Sequence, residues 1–528
     1  MRFFVVLVLG VTLLFSGCAK IGPDFTTPPS PVADSWFEQE NQQLTSTAES
    51  NEQWWTVFND PVLNLLIEES YQQNLGLQIA GLRILEARAQ LGIATGNLYP
   101  QQQQLLGGAA AVGNSKNAAN TAGGDLYYKS LGSSMDAAWE LDFWGKFRRG
   151  VEAADAQYLA SAANYEDVMV TLTAEVARAY ILIRINEERI RLAVESVAIQ
   201  DRSLEIATNR FDGGLVTELD VQQARTLLAN TRATIPRFEV DYHQARNALS
   251  VLLGQPPGDL VKILTSPGNV LGIPMAPVEV AVGVPADLLR RRPDVRRAEL
   301  LAASQSALIG VAKADLLPHF TLLGSIGLQT SESSITRNGS SSFSDLFDSD
   351  SMTYFVGPSL TWDILNYGRI KNQVRVQDAR LQQLVINYQD TVLRAAQETE
   401  DAMIGFLKKQ QEALYLADAV DASQRSVDIS MLQYGEGLAD YQRVLDAQRS
   451  LSIGQDVLAS TQGSVVLNLV SMYKALGGGW QTRSDQDFIN PETRQVMAER
   501  TDWGGILDEP KKEMTDPVDD SDWRWPDW

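Results

Sequence analysis

Thiols, imidazoles and long apolar runs are all scarce in this 528-residue chain. It has one cysteine, Cys18, and two histidines, His243 and His319. Neither histidine sits near a cysteine or a carboxylate cluster at metal-ligand spacing, so zinc chemistry and thiol catalysis have almost no material. A Walker loop, a G-x-G-x-x-G turn and a G-x-S-x-G elbow are missing as well. The sequence therefore offers no catalytic constellation, no metal site and no cofactor site, and it does not read as an enzyme. Basic residues are in deficit, 44 Lys and Arg against 66 Asp and Glu, for a net charge of −22. That balance excludes nucleic acid as a partner, which needs a basic face, and reads as solubility. Beyond the N-terminal region no continuous apolar run reaches the roughly 20 residues of a spanning helix. Any membrane-spanning part must then be a closed β-barrel.

The chain opens "MRFFVVLVLGVTLLFSGCAK". Arg2 precedes an apolar run, Phe3 to Phe15, that is too short to span and reads as a secretory signal peptide over residues 1–17. "FSGC" resembles the bacterial lipobox, with Phe15 where a leucine is usual. Cys18 would then receive lipid, palmitate included, and become the mature N-terminus. An unpaired cysteine in an oxidising compartment is otherwise a liability. Lipid chains anchor a protein without spanning the membrane. Ala19 stands where an inner-membrane retention aspartate would be, which resembles outer-membrane sorting.

The chain carries the same grammar twice. "NRFDGGLVTELDVQQARTLL" from Asn209 matches "LQYGEGLADYQRVLDAQRSL" from Leu432, 223 residues on. Phe211 meets Tyr434, Gly214 meets Gly437, and Val221 meets Val444. Upstream, "LGIATGNLYP" ending at Pro100 matches "IGVAKADLLP" ending at Pro318, and Trp139, Trp144 and Gly145 meet Trp362, Tyr367 and Gly368. Matches in this order and register imply an internal duplication. The first repeat spans 61–260 and the second 285–480, with a lipidated extension over 18–60, a linker over 261–284 and an acidic tail over 481–528.

In each repeat a helix rich in Ala, Leu, Glu and Arg comes first, Pro61–Asn97 and Pro285–Asp315, and stops at proline. Two alternating segments come after it, about 101–112 and 133–143, then about 318–330 and 352–365. Each pair brackets a polar loop and reads as a β-hairpin. Their length suits tilted transmembrane strands, and the aromatics Trp139, Trp144, Trp362 and Tyr367 at their ends suit a membrane interface. Proline-free stretches come next, Gly150–Phe211 and Ile370–Tyr434, rods of about 90 Å. Tight glycine turns at about 211–218 and 434–441 reverse each rod into a return helix, Glu218–Leu253 or Tyr441–Leu476. Thr217 and Asp440 stand at the N-cap positions of those helices. The expected fold is mainly α, with duplicated long α-hairpins and two β-hairpins. Four strands cannot close a barrel, so further copies must supply the rest. Two copies make eight strands and three make twelve, and the pattern alone does not decide.

"IGPDF" at Ile21, "WWTVFNDPVLNLLIEES" at Trp54, "RRRPDVRRAE" at Arg290 and "VLDAQRSL" before "YKALGGGW" resemble the outer-membrane efflux proteins of Gram-negative bacteria. The likeness is to the TolC-like factors and, most closely, to their lipidated OprM-like (NodT-type) branch, over nearly all of Cys18–Trp480. The resemblance implies a homotrimer with a 12-stranded outer-membrane barrel that runs into a periplasmic α-helical barrel. It implies the exit duct of a tripartite multidrug pump, with a periplasmic adaptor and an inner-membrane transporter of the RND type as partners. It implies a periplasmic gate in which Asp446 and Arg449, with Tyr434, hold the tip closed. It implies adaptor docking at the tips, Gly214, Leu215 and Thr217 in one and Gly437, Leu438 and Asp440 in the other. The same fold also serves as an exit duct for type I protein or peptide secretion, and a structural periplasmic lipoprotein is the reading from a different class.

Overall fold

The computed structural model describes most of residues 20–507; residues 1–19 and 508–528, and short stretches within 30–51, 118–124, 259–288, 337–338 and 484–486, are not described. The signal peptide, Cys18, half of the linker and the end of the acidic tail fall outside the described residues.

The chain begins its first repeat with α1 (Pro61–Gln73) and α2 (Leu75–Gly96). One continuous helix over Pro61–Asn97 was the expectation; Asn74 breaks it. Asn74 adopts extended backbone, its side chain accepts from the Leu77 amide at 2.9 Å, and its amide group donates to the Leu252 carbonyl at 2.9 Å. Asparagine competes well for helix-terminal backbone groups, so it caps a second helix rather than continuing the first. Asp60 caps α1 in the same manner, with Pro61 in the first turn.

Four strands match the pattern expected for two hairpins. They are β1 (Gln102–Gly113), β2 (Tyr127–Glu140), β3 (His319–Thr336) and β4 (Met352–Thr361). They pair antiparallel in the order β1-β2-β3-β4, so both hairpins share one sheet. β3 runs past residue 330 because the ladder continues into the loops, where it satisfies backbone groups. β4 stops at Thr361, short of residue 365.

The register sorts the side chains into two faces. Leu105, Met135, Ile326 and Tyr354 lie side by side across all four strands. The next row, on the opposite face, is Gln104, Asp136, Ser325 and Phe355, with Ser325 Oγ donating to the Asp136 carboxylate at 2.7 Å. One face is thus apolar and exposed, the other mostly polar. The outer edges of β1 and β4 have no strand partner among the described residues.

Each hairpin leads into helices. α3 (Lys146–Asp212) and α4 (Glu218–Leu252) form the first long hairpin; α5 (Pro293–Ala314) precedes β3; α6 (Arg369–Gly435) and α7 (Tyr441–Ala475) form the second long hairpin. α3 and α6 are each 67 residues, about 100 Å of rod. α4 and α7 are each 35. The main core lies where α1, α3 and α7 meet. There Trp54 stacks on Tyr473 at 5.3 Å, and Leu63, Leu66, Tyr180 and Ile181 are fully buried. The start of the acidic tail folds as well. α8 (Pro491–Arg500) packs Met497 with Ile489 and Leu507 against Leu85 of α2.

Leu66→Ala should cost about 2–5 kcal/mol through the cavity it leaves, read as a clear fall in the melting temperature of the purified protein. Its exposed neighbour, Leu65→Ala, should change stability by no more than about 0.5 kcal/mol.

Candidate functional site: the hairpin tips

Both long hairpins turn by the same local chemistry. The Leu215 amide reaches back to the Arg210 carbonyl at 2.9 Å, and the Leu438 amide to the Gln433 carbonyl at 2.8 Å. Gly214 at φ 73° and Gly437 at φ 77° supply the left-handed residue that this closure demands. The turn pushes the following leucine outward. Leu215 is 70% and Leu438 79% exposed. Thr217 and Asp440 do occupy the N-cap positions of α4 and α7, but neither side chain makes the capping bond. Asp440 instead lies 3.9 Å from Arg443, one turn on.

Behind the turns the two hairpins are fastened to each other. Arg210, in the last turn of α3, donates to the carbonyls of Tyr434 and Gly435 at the end of α6. These are carbonyls that a helix end leaves without an intrahelical donor, at the negative end of its dipole. The same guanidinium lies over the Tyr434 ring, 4.8 Å from its centroid. Tyr434 is 1% exposed, and its hydroxyl donates to the Asp220 carboxylate of α4 at 3.3 Å. Its ring meets Tyr441 edge-on at 5.2 Å, and Tyr441 Oη shares a hydrogen bond with Ser203 Oγ of α3 at 3.1 Å. Val221, Ala224, Val444 and Leu445 fill the space around the two rings. One clasp therefore joins α3, α4, α6 and α7. Burial first, and then the Asp220 carboxylate, push the Tyr434 hydroxyl up to about 12; burial also raises Tyr441.

Of the expected gate residues, the structure brings Tyr434 into this clasp. Asp446 and Arg449 lie on the exposed face of α7 and form no ion pair with each other. Asp446 accepts from Gln442 at 3.1 Å. Arg449 has no hydrogen bond or ion pair among the described residues. Arg210, Asp220, Tyr441 and Ser203 are clasp members that the sequence reading passed over. A signal for two of them lay where the repeats disagree. Arg210 aligns with Gln433, and Asp220 aligns with Arg443, a reversal of charge at matched positions.

The aromatics sit at the other end, where sheet becomes helix. Trp139 Nε1 donates to the Leu98 carbonyl at 3.2 Å and Trp362 Nε1 to the Leu316 carbonyl at 3.0 Å, so each repeat ties its strand to its own first helix. Trp144 Nε1 crosses to the Pro318 carbonyl of the second repeat at 2.8 Å. Its match, Tyr367, is 98% exposed. Among the described residues no cluster of metal-binding side chains occurs, and no helix is long and apolar enough to cross a membrane.

The family model for outer membrane efflux proteins matches residues 66–255 and 284–478. The chain is 30% identical over 486 residues to a probable efflux pump outer membrane protein, TtgC, of Pseudomonas putida, covering 91% of this chain and 96% of that one. It is 30% identical over 480 residues to the cation efflux system protein CusC of Escherichia coli, covering 89% and 98%. Its fold is similar to that of the outer-membrane channel OprN, with a TM-score of 0.81 at 30% identity over 88% of this chain and all of that one.

The raised tyrosine gives the clasp a pH signature. Its folded value lies above its unfolded one, so the clasp's contribution is complete below about pH 10 and is lost as pH rises through about 12. In a tyrosinate absorbance titration, Tyr434→Phe should remove a late transition near pH 12.

Proposed function

The chain belongs to the outer membrane efflux protein family, and on that premise we propose that three copies assemble as the exit duct of a tripartite pump. It is an outer-membrane protein. Each copy would give four strands, and three would close a barrel of twelve whose exposed apolar face meets lipid and whose polar face lines the lumen. The observation that carries this reading is the two-faced sheet whose edges have no strand partner among the described residues. In lipid each unpaired backbone group costs several kcal/mol, so β1 of one copy must meet β4 of the next. The matched repeats make this economical. A duplicated chain would repeat its own internal packing across the subunit boundary, where the exposed Tyr367 would serve as Trp144 does within the chain.

Below the barrel the long helices would continue the duct through the periplasm. At its far end three clasps hold the hairpins together. Asp446 from each copy would make a negative ring that favours cations in a narrow mouth. The exposed Leu215 and Leu438, with their glycine turns, would take the helices of a periplasmic adaptor, which in turn engages an inner-membrane transporter of the RND type. An adaptor that binds the splayed tips better than the closed ones shifts the balance toward opening, with no chemistry done by the duct itself. TtgC and CusC, alike at 30% identity, are named for an efflux pump and a cation efflux system. That spread suits a passive conduit for small toxic compounds whose selection lies upstream.

Planar-bilayer recording tests this. Wild-type protein should give small or flickering currents, and Arg210→Ala/Asp220→Ala should give large, steady ones several-fold higher. Ile326→Arg, on the apolar face, should cost about 2–4 kcal/mol at mid-bilayer and abolish insertion, whereas Ser325→Arg should insert. Insertion of both, or of neither, would overturn the assignment of the faces.

A further inference from the structure

One join between repeats is visible inside the chain. β2 of the first repeat pairs with β3 of the second, Ser133 opposite Leu328 and Gly132 opposite Gln329. Beside this seam α5 lies along α3. Ser304 Oγ donates to the Ala153 carbonyl at 2.8 Å, and both residues are buried. The two hairpins superpose on fixed offsets. Hairpin one pairs Gln102 with Ala138, and hairpin two pairs His319 with Thr361. First strands therefore match 217 residues apart (102 to 319) and second strands 223 apart (138 to 361). The first helices match 218 apart, as Pro100 meets Pro318, so Gln101 is one extra residue in the first repeat.

What the first repeat has covered, the second leaves open. Ala153, Ala156, Ala163 and Val170 of α3 are buried and share one helix face. Their matches on α6, 223 residues on, are Val376, Ala379, Ile386 and Leu393, and all four are exposed. In the other direction, Ser304 and Gly310 of α5 are buried, and their matches on α2, Glu86 and Gly92, are exposed. The edges of β4 and β1 lack a strand partner among the described residues. A stripe on α6, a face of α2 and two strand edges are thus open at the positions where the other repeat has them filled. A second copy of this chain carries the complement of all of them in one frame.

We propose that the join between copies repeats the join within the chain: β4 of one copy pairs with β1 of the next so that Val356 stands opposite Ala111 and Phe355 opposite Val112, while α2 of that next copy covers the open face of α6, Glu86 falling beside Val376. This rests on closure by further copies and adds the register, which closure alone leaves free. The three pairs are the images of Ser133 with Leu328, Gly132 with Gln329, and Ser304 with Ala153. A slip of one residue turns every side chain to the opposite face. In the proposed register the apolar face of one copy runs on into that of the next; one residue out of step, it would meet the polar face. Val376, Ile386 and Leu393 stand where the in-chain join has two alanines and a valine, so the seam between copies buries larger apolar side chains.

Cysteine pairs in the full chain, oxidised in its membranes, read the register. β1 and β4 lie at opposite edges of one chain's sheet, so a disulfide between them joins two copies and shows as multi-chain bands on a non-reducing gel. Neighbouring pairs on a ladder alternate between close and wide spacing, so one of Val356→Cys/Ala111→Cys and Phe355→Cys/Val112→Cys has the close geometry. That pair should link at least about tenfold more than Val356→Cys/Gly113→Cys or Phe355→Cys/Ala110→Cys, whose partners are two residues out of step. Glu86→Cys/Val376→Cys should link copies as well, whereas Ser304→Cys/Ala153→Cys should close within one chain and add no band. The single variants, which keep Cys18, set the background. Should the strand variants fail to reach the membrane, the helix pair carries the comparison, with Glu86→Cys/Gln383→Cys, two turns along, as its slipped control. Preferential linking by the out-of-step pairs would overturn the register and leave closure standing. No link between copies from any pair would overturn closure itself, and the register with it.

Discussion

Unpaired backbone along the outer edges of β1 and β4 is the constraint on which the rest of the architecture depends. In water such edges can be left to solvent; in hydrocarbon they cannot. On the proposed assembly, a chain with four long strands and no spanning helix among its described residues would find the missing partners in other copies. Closure then dictates the arrangement of the helices. On the proposed trimer, strands tilted around a barrel would deliver their helices to a ring, and rods of 67 residues would carry it beyond the membrane. The apolar row of Leu105, Met135, Ile326 and Tyr354 has a use only if lipid covers it.

The two ends of the molecule are fastened by opposite means. At the strand-to-helix junction the contacts are backbone-close: tryptophan donors onto carbonyls, Gly22 against Gly310, and the buried Arg149 with the Ile21 and Gly22 carbonyls, Asp24 and Glu152 as acceptors. At the hairpin tips the contacts are side chain to side chain or side chain to helix end. Arg210 and Tyr434 meet across hairpins, with Asp220 and Ser203 behind them. Each tip bond is of modest strength, and several must break together for the hairpins to separate. That construction suits the opening proposed for the tips.

Much of the fold was legible because it obeys local rules. Absence of proline over some 60 residues marked each long rod, and glycine pairs marked each reversal. The helix ends fell within a few residues of Asp212, Glu218, Gly435 and Tyr441. What was not legible depends on partners distant in sequence. Asn74 looked like one more polar residue in a helix, and its second partner, the Leu252 carbonyl, lies 178 residues on. Arg210 and Asp220 serve a tyrosine 224 and 214 residues away, and Arg149 serves a segment 128 residues before it. Residue type alone suggested capping for Thr217 and Asp440, and the structure leaves both side chains unused for it. Family likeness drew attention to Asp446 and Arg449, which face away from the clasp within one chain.

Native mass spectrometry of the protein extracted from outer membranes measures the central claim, closure by three copies. A particle of three chains, each carrying lipid, should survive gentle removal of detergent. A stable particle of two chains, or a single chain that still conducts, would contradict it, because the edges of β1 and β4 would then have to be satisfied in some other way.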